Sequence, residues 1–88
     1  LVRPEFLEYL ELSPEYSIVE LPAPSFLWGR VIRDTSLRTE YGVSIIAIKS
    51  GGSGESEALN INPHPSDIIR EGDLLIVLGS DRDIERLR

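Results

Sequence analysis

The fold is decided by the stretch YGVSIIAIK at residues 41–49, in which a glycine suited to ending a helical turn leads directly into β-branched residues. Ile45 and Ile46 are neighbours, so in a strand their side chains point to opposite faces. A strand that is apolar on both faces needs two covers, and the core supplies only one of them. The stretch therefore predicts a central strand at 43–49, with a partner or a ligand on its second face.

Three further strands are predicted around this one. Residues 16–21 are rich in β-forming side chains and end at Pro22 and Pro24. Residues 58–62 alternate, with Leu59 and Ile61 on one face and Asn60 and Asn62 on the other. Residues 74–79 are apolar throughout, which is typical of a strand buried on both faces.

Helical segments are predicted between and after these strands. Ser25 is the expected N-cap of a helix through Phe26, Leu27, Val31 and Ile32, and Gly29 inside it indicates close packing. Short helical turns are expected at 37–41, ending at Gly42, and at 66–69.

Ser80 should cap a final helix, with Asp83 three residues further on. The order of these elements predicts an α+β fold, a small sandwich in which a mostly antiparallel four-stranded sheet carries helices on one side.

The first twelve residues have a different pattern. Pro4 can open a short helix, and Phe6, Leu7 and Leu10 follow at helical spacing. Two interpretations stay open, a linker from an upstream domain and a helix that caps the core. The chain begins with Leu rather than Met, so we expect it to be part of a longer protein.

Composition excludes several classes of function. The chain of 88 residues carries nine basic and fifteen acidic residues, a net charge of −6, and the basic residues form no block. An extended DNA- or RNA-binding surface needs the opposite balance. The absence of cysteine excludes disulfides and thiol chemistry. No apolar run approaches the roughly 18 residues of a membrane helix.

The sequence predicts neither a catalytic nor a metal site, and therefore no enzyme. His64 is the single histidine, and Asp67 is the acid placed to orient it. One histidine without further ligands is a poor metal site. The carboxylate pairs Glu55/Glu57 and Asp81/Asp83 are interpreted as solvated charge and helix capping. An enzyme or cation site around His64 and Asp67 remains an alternative hypothesis.

The Gly/Ser-rich segment at 50–56 is predicted to be a flexible hairpin loop, native or engineered. A phosphate-binding P-loop places its glycines before Lys-Ser/Thr and a helix. Here Lys49-Ser50 precedes the glycines, and a strand follows them. This order argues against a phosphate cradle.

A binding site for a small molecule is the remaining class. Asn60 and Asn62 stand beside the apolar strand of Ile45 and Ile46, and such sites combine an apolar floor with a few placed polar groups. Amide side chains also offer a donor and an acceptor to adenine edges. The alternative is that both asparagines simply face solvent from an amphipathic strand.

Four collinear blocks resemble the RCK_C family, the TrkA C-terminal domain. They are residues 16–30 with Pro24, residues 37–48, Asn62-Pro63, and residues 71–79. The resemblance covers residues 13–88, and residues 1–12 then correspond to a linker from the upstream domain. It implies a dimeric, cytoplasmic regulatory domain that follows a nucleotide-binding domain and acts on a membrane subunit for potassium or another cation, with no DNA or RNA partner.

In the Ktr-like branch of this family, the dimer binds cyclic di-AMP at its two-fold axis, and no cofactor is implied. A two-fold axis suits a ligand that is itself two-fold symmetric. The resemblance assigns this pocket to Ile45, Ile46, Lys49, Asn60, Ile61, Asn62, Pro63 and His64. The alternative is a dimerisation domain that holds a transporter ring together without any ligand.

Overall fold

The structure, a computed structural model, describes residues 8–50 and 58–87, and within them it contains one five-stranded antiparallel sheet. The strands are β1 (Glu8–Glu11), β2 (Tyr16–Pro22), β3 (Ser44–Ser50), β4 (Ala58–Ile61) and β5 (Leu74–Ser80). Their order across the sheet is β1-β2-β5-β3-β4. The antiparallel α+β fold is confirmed, and the sheet has one strand more than predicted because β1 pairs with β2.

Strand β5 lies at the centre, between β2 and β3, but only one of its faces is fully buried, whereas its unbroken apolar sequence predicted burial on both faces. Val77 stands opposite Val19 on one side and Ile45 on the other. The alternate residues of β5 on this face are fully buried, so one face of the sheet forms the floor of the core.

The helical segments cover that same face. Their buried residues join the strand residues in a single hydrophobic cluster, so the helices lie on one side of the sheet, as predicted. The contributing non-strand residues are Ala23, Leu27, Leu37, Val43, Ile69, Ile84 and Leu87.

The helix predicted from Ser25 to Ile32 is wrong. Two 3-10 turns, Ser25–Leu27 and Ile32–Asp34, replace it, and Ser25 makes no capping hydrogen bond. Gly29 interrupts the segment because its φ is +80°, and a Cβ there would meet no atom within 4 Å, so conformation rather than close packing explains the glycine.

The backbone between these turns pairs with a distant segment instead of forming a helix. The N–H of Gly29 donates to the carbonyl of Ile69 at 2.6 Å, and Val31 forms an antiparallel bridge with Ile68. The helical turn expected at 66–69 is likewise wrong, because the chain turns at 64–67 and is then extended for this pairing. A sequence window cannot reveal such a tertiary preference.

Two predicted helix ends are confirmed. The turn Leu37–Tyr41 ends at Gly42, whose φ is +71°. The Ser80 hydroxyl accepts a hydrogen bond from the N–H of Asp83 at the start of helix α1 (Asp81–Glu85).

The short helix predicted to include Leu10 is wrong, since residues 8–11 form β1. Its pairing with β2 supplies the backbone hydrogen bonds that a helix would have made internally. The rest of the expected N-terminal segment, residues 1–7, and most of the Gly/Ser-rich loop, residues 51–57, lie outside the described residues.

Candidate functional site

Strand β3 contains a bulge at Ile46. Ile45 pairs with Val77, whereas the next paired residue of β3 is Ala47, opposite Ile76. Ile45 packs against the hydrophobic core, and the carbonyl of Ile46 accepts a hydrogen bond from the N–H of Asn62 at 2.7 Å. Bulges redirect the residues beside them, so simple alternation between Ile45 and Ile46 does not describe this strand.

A cavity of about 460 Å³ lies where the bulged end of β3 meets two loops. Its walls come from three parts of the chain: the turns before β3, the start of β3, and the segment after β4. Leu37 and Val43 are buried and give it an apolar floor, and hydroxyl groups and two arginines also line it. The lining residues are Ile32, Arg33, Thr35, Ser36, Leu37, Arg38, Thr39, Val43, Ser44, Ile45, Asn62, Pro63 and Pro65.

The cavity brings together part of the set of site residues predicted from the sequence. Ile45, Asn62 and Pro63, which are far apart in the chain, all line it. The other predicted residues lie outside its lining in the single chain; they are Ile46, Lys49, Asn60, Ile61 and His64.

Backbone conformation marks the same place. Within residues 8–50 and 58–87, only Ser36 and Asn62 combine a side chain with a left-handed backbone, each at φ 58°. Both line the cavity. Non-glycine residues in this region are uncommon, and they cluster at binding and active sites.

Lys49 forms an ion pair with Glu20, whose carboxylate oxygen lies 3.3 Å from the Lys49 ammonium. Glu20 pairs with Ile76 and Lys49 with Leu74, positions of β5 that alternate with the buried core positions. The pair therefore lies on the sheet face opposite the helices. The Glu20 side chain is only 9% exposed, so the lysine neutralises a nearly buried charge.

Asp67 joins the end of β4 to the segment after it. Its carboxylate accepts hydrogen bonds from the Asn60 amide at 2.8 Å and from the backbone N–H of His64 at 2.9 Å. These bonds, the Asn60 bond foremost, hold the pKa of Asp67 below its usual value of 3.8.

The alternative hypothesis, in which Asp67 orients the His64 ring, finds no hydrogen bond between these two side chains in the described part of the chain. The ring nitrogen Nδ1 lies 2.8 Å from the Ser66 hydroxyl instead. In the described part of the chain, no three His, Asp or Glu residues stand close enough together to hold a metal ion. The same residues contain no helix long and apolar enough to cross a membrane.

Sequence reasoning missed Arg33 and Arg38, which line the cavity from the turns before β3. Lys49, which follows the Ile-Ile pair, was the basic residue that the resemblance assigned to the site. The five-residue spacing of the two arginines is no recognisable motif. Both line one cavity because the segment predicted to be a helix from Ser25 to Ile32 forms two separate turns instead.

Comparisons with known proteins agree with this fold. The family model of the TrkA-C domain matches residues 16–88. The Ktr system potassium uptake protein C of Bacillus subtilis (strain 168) is 41% identical over 86 residues, which is 98% of this chain. Protein A of the same system is 45% identical over 80 residues, or 91% of this chain. The chain spans 37% and 34% of the length of these two relatives.

Solved structures give the same result. The RCK C domain of the potassium transport protein KtrA, in complex with cyclic diadenosine monophosphate, is 41% identical with a TM-score of 0.70. That match covers 81% of this chain and 78% of the other. The RCK domain of GsuK is 31% identical with a TM-score of 0.69, and the match covers 84% of this chain and 16% of that one.

Proposed function

The chain belongs to the TrkA-C domain family, and from that premise we propose that it is the ligand-sensing regulatory domain of a potassium uptake system. Its ligand is cyclic di-AMP, bound between two copies of the chain. The observation that carries this proposal is the cavity in which Ile45, Asn62 and Pro63 meet. A relative of the same fold, 41% identical, is known in complex with this ligand.

The chemistry of the cavity suits a nucleotide. The apolar floor of Leu37, Val43 and Ile45 offers contact area to an adenine ring. The Asn62 amide offers a donor and an acceptor at the edge of that floor. We include Ile46, Lys49, Asn60, Ile61 and His64 as further contacts that a second copy of the chain would bring to the site.

The role in transport follows from the relatives, which are potassium uptake proteins. We propose that the domain follows a nucleotide-binding domain, with residues 1–12 as the connection, and that it acts in the cytoplasm on a membrane subunit. Binding of a ligand across two copies would change how neighbouring subunits are held, and such a change can control a gate.

One observation favours a second candidate, a dimerisation domain without a ligand. Leu59 and Ile61 are 54% and 67% exposed on β4. Among the described strands β4 pairs only with β3, so its other edge is open to a partner. Exposed apolar side chains on an open edge strand are typical of an interface.

Isothermal titration calorimetry of the 88-residue chain separates the two candidates. We expect cyclic di-AMP to bind. Cyclic di-GMP should bind more weakly because the Asn62 amide matches adenine, and ATP should bind more weakly because it lacks the two-fold symmetry of the proposed site. A chain that dimerises but releases no heat with cyclic di-AMP would support the ligand-free candidate and contradict the ligand-sensing one.

A further inference from the structure

We propose that Arg33 and Arg38 are the residues that hold the phosphate groups of the ligand, an assignment that rests on the function proposed above. Both line the cavity, from the turns that precede β3. The ligand class is a cyclic dinucleotide with two phosphodiester groups, each with one negative charge, and each chain would supply one pair of arginines to it.

The charge of the cavity supports this assignment. The whole chain has a net charge of −6, yet the residues that line the cavity include two arginines and no carboxylate. Asp34 and Glu40 are close in sequence but do not belong to the lining. The cavity is therefore a locally basic concavity on an acidic protein, where field lines favour an anion.

Both guanidinium groups are available. In the described part of the chain, neither Arg33 nor Arg38 donates a side-chain hydrogen bond or forms an ion pair, and both are exposed. Arg30 and Arg86, by contrast, are engaged: Arg30 donates to the carbonyl of Asp34, and Arg86 contacts Asp83 and Glu40.

The backbone under the two arginines is fixed. The N–H of Arg33 donates to the carbonyl of Pro65 at 3.0 Å, which ties the arginine turn to the segment after Asn62. Arg38 lies in the turn that ends at Gly42, where the N–H of Val43 donates to the carbonyl of Leu37 at 3.1 Å. Only the side chains have to become ordered when an anion binds.

Arginine suits this task better than the other basic residue nearby. Its planar group donates two parallel hydrogen bonds to a phosphate, and it stays charged at every physiological pH. The ammonium of Lys49, by contrast, lies 3.3 Å from the nearly buried carboxylate of Glu20. Any contact of Lys49 with the ligand would therefore be shared with that carboxylate, which makes the lysine the weaker phosphate partner.

The test is calorimetry with cyclic di-AMP on the wild-type chain, on the double variant Arg33→Gln/Arg38→Gln, and on Arg70→Gln as a matched control. Arg70 is exposed and lies outside the cavity lining. Because charge-assisted hydrogen bonds are lost, we expect the double variant to raise Kd at least about tenfold. The Kd of the control should stay within about twofold of the wild-type value.

A conservative double variant, Arg33→Lys/Arg38→Lys, should recover part of the affinity, because the charge returns without the bidentate geometry. The wild-type Kd should also depend more steeply on salt than that of the glutamine variant. If the wild-type chain binds cyclic di-AMP and the glutamine double variant binds it with the same Kd, the arginine assignment alone is overturned. A wild-type chain that does not bind cyclic di-AMP would overturn both the assignment and the ligand proposal.

Discussion

The backbone N–H of Asn62 donates a hydrogen bond to the carbonyl of Ile46 at 2.7 Å. This bond joins the residue that follows β4 to the bulge of β3, so that Asn62 and Ile45 line one cavity. Asn62 keeps this position with a left-handed backbone at φ 58°, a conformation that asparagine tolerates better than most residues.

Two substitutions of Asn62 separate its backbone role from its side-chain role. Asn62→Gly keeps the left-handed conformation and removes the amide, so we expect near wild-type stability and a large loss of cyclic di-AMP affinity. Asn62→Ala should also lower the free energy of unfolding by about 1 kcal/mol, because alanine is strained at this φ. Urea unfolding and calorimetry measure the two effects; wild-type affinity in the glycine variant would argue against a ligand contact by the amide.

Gly42 is held by two independent constraints. Its φ is +71°, and a Cβ built on it would lie 2.6 Å from Oδ2 of Asp83. Alanine here would be strained and would also force the Asp83 carboxylate to move away from Arg86, which it contacts at 3.1 Å. We expect Gly42→Ala to lower the free energy of unfolding by about 2 kcal/mol or more.

Gly29 is the matched control for that prediction. It also has positive φ, at +80°, but a Cβ there would meet no atom within 4 Å. Gly29→Ala should therefore show the conformational cost alone, about 1 kcal/mol. Equal costs at the two glycines in urea unfolding would show that contact with Asp83 contributes nothing.

The Glu20–Lys49 pair should respond unequally to loss of either partner. Lys49→Gln leaves a carboxylate that is 9% exposed without its counter-charge, and we expect a loss of about 1–3 kcal/mol in the free energy of unfolding. Glu20→Gln leaves a lysine that is 31% exposed and can turn to water, so its cost should be smaller. Urea unfolding at neutral pH compares them, and a larger cost for Glu20→Gln would reverse the argument.

Asp67 should contribute to the loss of folding stability at acid pH. Its pKa is lowered below 3.8 in the folded chain, chiefly by the Asn60 hydrogen bond, so folding favours the ionised carboxylate. That contribution is complete above pH 3.8 and is lost as the pH falls through the lower folded-state pKa. Asp67→Asn should therefore lose less stability than the wild type when the urea midpoint is compared at pH 5 and pH 3.

Glu71→Gln controls for the removal of one negative charge, because Glu71 is exposed and its side chain makes no hydrogen bond within the described residues. The stability that the Glu71→Gln variant loses between pH 5 and pH 3 should match the loss of the wild type. If Asp67→Asn also matches the wild type, the hydrogen bonds of Asp67 do not stabilise its ionised form in solution.

The sheet could be predicted because its signals are local. The all-apolar run 74–79 and the alternation at 58–62 both lie within a few residues of the observed strands β5 and β4. The helix ends at Gly42 and Ser80 could also be predicted from the sequence, since each depends on one residue and its own neighbours.

The cavity could be predicted only in part, because it depends on contacts between distant segments. Ile45, Asn62 and Pro63 were assigned through family resemblance, and they meet because β4 pairs with β3. Arg33 and Arg38 were missed because an amphipathic pattern at 26–32 favoured a helix. Pairing of Gly29 and Val31 with residues 68–69 overrides that local preference.

The central claim is that one cyclic di-AMP molecule binds between two copies of this chain, in the cavity beside Asn62. Native mass spectrometry of the 88-residue chain with cyclic di-AMP measures this stoichiometry directly. We predict a species of two chains with one ligand for the wild type, and a dimer without ligand for Asn62→Gly. Wild-type chains that carry no ligand, or one ligand on each separate chain, would contradict the account.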